Sequence, residues 1–269
     1  MEILYGLHPV EEALRSGTRK FDHVCVARER HDPRVQRVID ACRENGVRVR
    51  QESKDELTRL AKTAGHQGVV AIVREREFLE LEDLFEGPEN SSAPRLLLAL
   101  DGVEDPQNLG ALLRTADASG VDGVVVTERR AAPLSAVAVK ASAGAAEHVR
   151  IARVVNLVRA LEQLKERNIW CVGLDERGSL SYDEYDFTSN TVVVLGREGE
   201  GLHELVRRSC DHLLRIPMVG QVASLNVSAA GAVVMFEAAR QRRARLGGVK
   251  SAAEAREEPP RRERKGLGS

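Results

Sequence analysis

At 269 residues, with 42% apolar and 30% charged side chains, the chain is long enough for one large or two modest domains with a sizeable core. Its 40 basic and 41 acidic residues leave a net charge of −1, so any RNA surface must be a local basic patch, and 3% aromatics argue against a single-strand binder built mainly on base stacking. The four cysteines (Cys25, Cys42, Cys171, Cys210) form no C-x-x-C pair and suit a reducing cytoplasm, and the histidines form no H-x-x-x-H pair, so no metal is expected.

The opening MEILYGLHPVEEAL lacks a basic lead, and no apolar run approaches the ~20 residues needed to span a bilayer. Neither export nor membrane insertion is expected, and a cytoplasmic location is. His8-Pro9 opens a short helix reaching Arg15, with proline suited to the first helical position. Val24 to Ala27 reads as a strand. Asp32-Pro33 caps a helix whose Val35, Val38, Ile39 and Cys42 recur at helical spacing up to Gly46. A strand at Val47 to Val49, a capping box at Ser53 to Glu56 that starts a third helix, and a strand at Val69 to Val73 complete a small α/β/α domain over residues 1–77. Its basic residues Arg15, Arg19, Lys20, Arg28 and Arg30 either contact phosphates or form a solvated charged face.

Residues 78–94 turn acidic and then rich in Gly, Pro, Asn and Ser, the composition of a linker. From 95 to 245, β and α character alternate. Strands are expected near 96–100, 123–127, 148–151, 169–174, 191–195 and 213–216, and helices near 108–119, 134–143, 156–167, 201–209 and 226–243. That alternation predicts an α/β fold with a mostly parallel sheet covered on both faces, and such sheets bind ligands beyond the carboxyl ends of their strands. The mixed charges, Gly and Pro of residues 246–269 predict a disordered tail.

Within the second domain, Leu213 to Ala239 reads as a buried strand ended by Pro217, a loop bearing Gly220 and no charge, and a helix of small residues that Ser224 or Asn226 can cap. By pattern alone this is a simple β-α turn. Taken together, however, DGVEDPQNLGALLRTADASGVDGVVV (Asp101 to Val126), VLGREGEGL (Val194 to Leu202) and IPMVGQVASLNVSAA (Ile216 to Ala230) resemble the three ordered motifs of the SpoU/TrmH-type RNA 2′-O-methyltransferases. Similarity to the bacterial members that methylate a guanosine ribose in large-subunit ribosomal RNA covers almost the whole chain, including YGLHPVEEAL and HQGVVAIV. The resemblance implies an N-terminal domain that presents RNA, a deep trefoil knot in the C-terminal domain, S-adenosylmethionine as cofactor, and a homodimer formed through the last helix.

Methyl transfer to a ribose hydroxyl needs alignment, a dry pocket and help in removing a proton. Backbone groups around Leu195-Gly196 and Ile216 to Met218, with Leu225 nearby, would suit an adenine held between apolar walls, and family similarity implies cofactor binding at Gly196, Ile216 and Leu225. A dinucleotide loop fails on spacing, because only Gly199 and Gly201 form G-x-G. On the RNA side, Asn108 and Arg114 share one helix, and the resemblance implies that Arg114 assists deprotonation of the 2′-hydroxyl and serves the partner's site. A guanidinium, with a pKa above about 12, is an awkward base, so a phosphate clamp and a proton acceptor in the assembled complex both stay open, beside a structural salt bridge. Glu198 is expected to orient Arg114 or Asn108, or to cap the helix near Gly201. Asn226, with Ser224 and Ser228, is expected to bridge cofactor and substrate or to cap the last helix. Arg197 stands where the family often has a small residue. The competing readings are a non-catalytic RNA-binding protein of the same fold, a relative acting on transfer RNA or on another ribosomal nucleotide, and an oxidoreductase that lacks the glycine fingerprint.

Overall fold

The computed structural model describes residues 1–257 apart from 31, 86–92 and 223, with side chains as far as Arg245. The middle of the expected linker and residues 258–269 of the expected tail lie outside the described residues. The N-terminal unit holds β1 (Glu2–Tyr5), α1 (Leu7–Ser16), β2 (Phe21–Ala27), α2 (Pro33–Glu44), β3 (Val49–Glu52), α3 (Lys54–Ala61) and β4 (Val69–Val73). Its sheet runs β1-β4-β2-β3, antiparallel except for the β2/β3 pair. Asp32 accepts from the amides of Arg34 and Val35, and Ser53 from that of Glu56, so both helix starts form where the sequence places a capping oxygen. Period-two alternation sorts the strands: Val24, Val26, Ala71 and Val73 join Val10, Leu14, Val35 and Val38 of α1 and α2, while Cys25, Ala27 and Val70 meet Leu57 of α3. The strand β1 was not expected from its four residues alone.

The C-terminal unit continues with β5 (Leu96–Leu100), α4 (Pro106–Ser119), β6 (Gly123–Thr127), α5 (Ala136–Ala141), β7 (Ile151–Val154), α6 (Leu157–Glu166), β8 (Trp170–Leu174), β9 (Leu180–Ser181), β10 (Thr191–Leu195), α7 (Glu204–Arg208), β11 (His212–Arg215) and α8 (Val227–Glu257). Its seven-stranded sheet has the order β7-β6-β5-β10-β8-β11-β9, with every pairing parallel. The central strands LLLAL and TVVVL are buried at every position, as strands covered on both faces must be. No helix among the described residues is long and apolar enough to cross a membrane.

Three expectations are corrected. The strand placed at 148–151 begins at Ile151, because Gly144, at φ +95°, starts a 3-10 turn over Ala145–Glu147. The start of the 78–94 segment is packed rather than free: Leu79 bridges to Ala152 beside β7, and Leu81 and Leu84 are buried against the sheet. Helix α8 continues to Glu257, well past 243, because Ser251–Glu257 (SAAEARE) consists almost wholly of good helix formers.

The two units are joined by charge that the sequence reading assigned to RNA. Arg19, 7% exposed, donates through Nε to Glu147 at 2.9 Å and through Nη1 to Glu2 at 2.8 Å. Burial opposes its charge, but Glu147 and then Glu2 more than offset this and raise its pKa. Arg19 is therefore a structural ion pair, and the phosphate role is withdrawn. Arg76 donates to the carbonyls of Ala146 and Val149, and Lys140 to that of Gly65.

Two stability predictions follow from this packing. A Cβ on Gly110 of α4 would fall 2.5 Å from the Ala138 carbonyl oxygen and 2.4 Å from the Ala141 Cβ. Gly110→Ala should cost about 1–3 kcal/mol in denaturant unfolding through overpacking, and an unchanged midpoint would contradict the close α4–α5 approach. Glu147→Ala leaves Arg19 buried with half its partners gone and should cost about 3–5 kcal/mol by the same measurement.

Candidate active site

Four adjacent strands, β5, β10, β8 and β11, deliver their carboxyl ends to one rim. The loop after β10 is the tightest piece. A Cβ on Gly196 would lie 2.2 Å from the Gly201 carbonyl carbon, so only glycine permits the two backbones to meet. Arg197 and Gly201 exchange amide-to-carbonyl hydrogen bonds, both 3.0 Å, with Gly199 and Gly201 at positive φ. Asp101, at the end of β5, clamps this loop by accepting from the His203 amide at 2.7 Å and pairing with its Nδ1 at 2.8 Å. The stem of Arg197 lies over Gly102, where a Cβ would come within 2.7 Å of the Arg197 Cγ.

The cleft above this rim is lined by Leu195, Gly196, Ile216, Met218 and Leu225, all five residues expected to hold the cofactor, together with Ser224. Leu174, Val227 and Ala230 complete its apolar walls, and Asp175, Glu176, Glu198 and Glu200 line it with carboxylates. Asp175 is buried and bound by Arg177, through Nε at 2.9 Å and Nη2 at 3.0 Å, and that guanidinium holds its carboxyl below the usual range.

At one end of the cleft three polar side chains close a network. Asn226 Oδ1 accepts from the Ser228 amide at 2.9 Å, which caps α8 and fixes the orientation of the side-chain amide. Its Nδ2 must then face inward, and it donates to Asn108 Oδ1 and to Glu198 Oε1, both at 3.0 Å. With its oxygen engaged, Asn108 donates Nδ2 to Glu198 Oε2 at 3.1 Å. Glu198 thus orients Asn108, as one reading of the sequence held; it does not cap α7, which begins at Glu204 after His203.

Arg114 stands outside this group. Six positions along a helix turn a side chain to about 120° from Asn108 and carry it about 9 Å along the axis. It is exposed, does not line the cleft, and among the described residues forms no ion pair or hydrogen bond, so the salt-bridge alternative is removed. Within one protomer, Asn108, Glu198, Asn226 and Gly196 converge and Arg114 does not. Of the expected RNA contacts, Lys20 is exposed and Arg15 pairs with Glu12 at 2.7 Å. Asp101, Asp175, Arg177 and His203 were not singled out from the sequence. The available signal was position, since Asp101 and Asp175 each directly follow a buried strand.

The cysteine thiols do not supply a nucleophile here. Burial pushes Cys42 up to about 11 and Cys171 and Cys210 up to about 12. Among the described residues no group of three or more His, Cys, Asp or Glu side chains could hold a metal ion.

Comparison with known proteins gives this geometry its context. Residues 3–79 match the family described as RNA 2′-O ribose methyltransferase substrate binding. The chain is 42% identical over 245 residues, 91% of its length and 98% of the relative's, to the 23S rRNA (guanosine-2′-O-)-methyltransferase RlmB of Pseudomonas syringae pv. tomato. It is 39% identical over 241 residues, 90% of its length and 96% of the relative's, to a putative TrmH family tRNA/rRNA methyltransferase, YacO, of Bacillus subtilis. Among solved structures, the SpoU methyltransferase AviRb of Streptomyces viridochromogenes in complex with AdoMet superposes with a TM-score of 0.76 at 26% identity, covering 90% of each chain. The AdoMet-bound rRNA methyltransferase of Sinorhizobium meliloti gives a TM-score of 0.72 at 29% identity, covering 89% of this chain and 87% of that one. With residues 95–236, more than half of its length, matching the SpoU rRNA Methylase family, the chain belongs to that family.

Proposed function

We propose that this protein transfers the methyl group of S-adenosylmethionine to a ribose 2′-hydroxyl of ribosomal RNA, with a guanosine of the large subunit as acceptor. The observation that carries the proposal is the closed Asn108–Glu198–Asn226 network at the end of a cleft walled by Leu195, Gly196, Ile216, Met218 and Leu225. The cleft fits the cofactor: apolar walls and the close Gly196 backbone suit an adenine, and the carboxylates around it suit a cation. When bound, S-adenosylmethionine supplies a methyl group already activated by its sulfonium.

The rest falls to the chain. Main-chain groups at Leu195–Gly196 and Ile216–Met218 would hold the adenine, with the apolar side chains of Met218 and Leu225 lining the cleft beside it. Asn108 and Asn226, locked by Glu198, orient the ribose, and Ser224 contacts the RNA at the mouth. Arg114 acts from a second protomer: among the described residues it has no partner, it is exposed on α4, which packs along α8, and Phe236 of α8 is 46% exposed, as a face awaiting a second copy would be. There Arg114 stabilises the charge that develops as the 2′-oxygen loses its proton. The C-terminal domain takes the threaded, knotted path that the family resemblance implies. We place the two domains at 1–77 and 95–245 and the protein in the cytoplasm.

The test is methylation of large-subunit ribosomal RNA with labelled cofactor, followed by mapping of the modified nucleotide. Arg114→Ala should lower turnover about 10²- to 10³-fold while calorimetric cofactor affinity stays unchanged. Gly196→Ala should abolish cofactor binding, since its Cβ meets backbone rather than a movable side chain. Mixing the two inactive variants in equal amounts under exchange should restore about a quarter of wild-type activity, because half the dimers then hold one intact site. No restoration would place Arg114 in its own protomer's site.

A further inference from the structure

The basic residues of the N-terminal unit differ in whether folding has paired them. Arg34, Arg37, Lys54 and Lys62 are exposed on or beside α2 and α3 with no ion pair among the described residues. Arg15, Arg19, Arg28 and Arg30 all have carboxylate partners: Glu12, Glu147 with Glu2, Glu52 and Asp32 respectively. Lys20, Arg48, Arg50 and Arg74 are exposed, and among the described residues none of them forms an ion pair. Topology puts these four on one face of the sheet. Lys20 precedes β2 and Arg74 follows β4, joined by a hydrogen bond from the Arg74 amide to the Lys20 carbonyl at 2.8 Å. The Arg48 carbonyl accepts from the Val24 amide, and Arg50 pairs across from Cys25. Because Val73 and Phe21 turn toward α1 and α2, while Cys25 turns toward α3, alternation puts Arg74, Lys20, Arg50 and Arg48 on the α3 face.

That face is covered only in part. Leu57 and Leu60 of α3 lie against Tyr5, Cys25, Ala27 and Val70, at the far end of β2 from Lys20. Lys20 and Arg74 stand exposed at the other end, Arg48 is about three positions further along β2, and Arg50 is exposed on the edge strand level with Cys25, so the four form a stripe across strands about 5 Å apart. One carboxylate sits among them: Asp22, bound to His23 Nδ1 at 2.6 Å, whose pKa is lowered chiefly by that hydrogen bond and further by the charges of Arg50 and Arg48. Protection of the edge strand β3 accounts for Arg48 and Arg50. It does not account for Lys20 and Arg74, on strands one and two places inward.

We propose that this exposed stripe across the sheet, carrying Lys20, Arg48, Arg50 and Arg74, is the surface on which the N-terminal unit grips the phosphate backbone of the RNA substrate. The inference rests on RNA being the substrate and names the face that holds it. These four cations outnumber the Asp22 carboxylate among them, and a phosphate strand neutralises the excess positive charge while releasing counterions.

The test is binding of an in vitro transcript of large-subunit ribosomal RNA to the full-length protein across a salt series. The double variant Arg48→Gln/Arg50→Gln should bind at least about tenfold more weakly, and its log–log salt slope should be shallower by about 1.4 to 1.8. Its cofactor affinity and unfolding midpoint should match the parent's, with the effect on methylation confined to KM for RNA. Arg15→Gln, exposed on the same unit but paired, should bind within about twofold of the parent. A double variant with the parent's affinity and slope overturns the assignment, as does an Arg15→Gln variant weakened equally. If the parent methylates RNA while the double variant is unaffected, this face alone is wrong; a parent that binds cofactor but no RNA overturns the face and the proposed function together.

Discussion

A single side-chain amide, that of Asn226, ties three parts of this protein together. Its oxygen ends the cleft loop by capping α8, and this leaves its nitrogen only one direction, toward Asn108 on α4 and Glu198 on the loop after β10. Three chain segments separated by many residues are thereby held at hydrogen-bond distance, and each donor is matched by a specific acceptor. A network satisfied in this way is rigid, because rotating any one amide would leave its neighbour's polar groups unpaired.

That rigidity needs a scaffold in which backbones approach more closely than side chains allow. Gly110 lets α4 lie against α5, Gly196 lets the loop after β10 fold on itself, and Gly231 of α8 sits against Leu112 and Leu195. Asp101 adds the electrostatic counterpart by tying the end of β5 to His203. The walls and the polar end of the cleft are thus different consequences of the same close packing.

Charge in the N-terminal unit serves two purposes that composition alone does not separate. Arg19 is buried against Glu147 and Glu2 and fixes one unit on the other, whereas Lys20, its immediate neighbour, is exposed and forms no ion pair among the described residues. A near-zero net charge conceals this division, since a sum over the chain cannot tell a paired arginine from an exposed lysine.

Much of the fold could be read from local physics. Period-two and helical spacing located most of the strands and helices, Asp32, Ser53 and Asn226 marked helix starts through their capping oxygens, and the motifs placed Asn108, Glu198, Gly196 and Leu225 on one rim. Strand β1, the packed stretch around Leu81 and Leu84, and the pairing of Arg19 with Glu147 were hidden, because each depends on a partner remote in sequence. The chain by itself determined which residues would form the strands, caps and cleft, since those follow from neighbours within a turn or a pleat. Tertiary structure alone decided which charges were spent on folding and which were left for a ligand, and it set Arg114 apart from Asn108, because only packing fixes where a long side chain on a helix ends up.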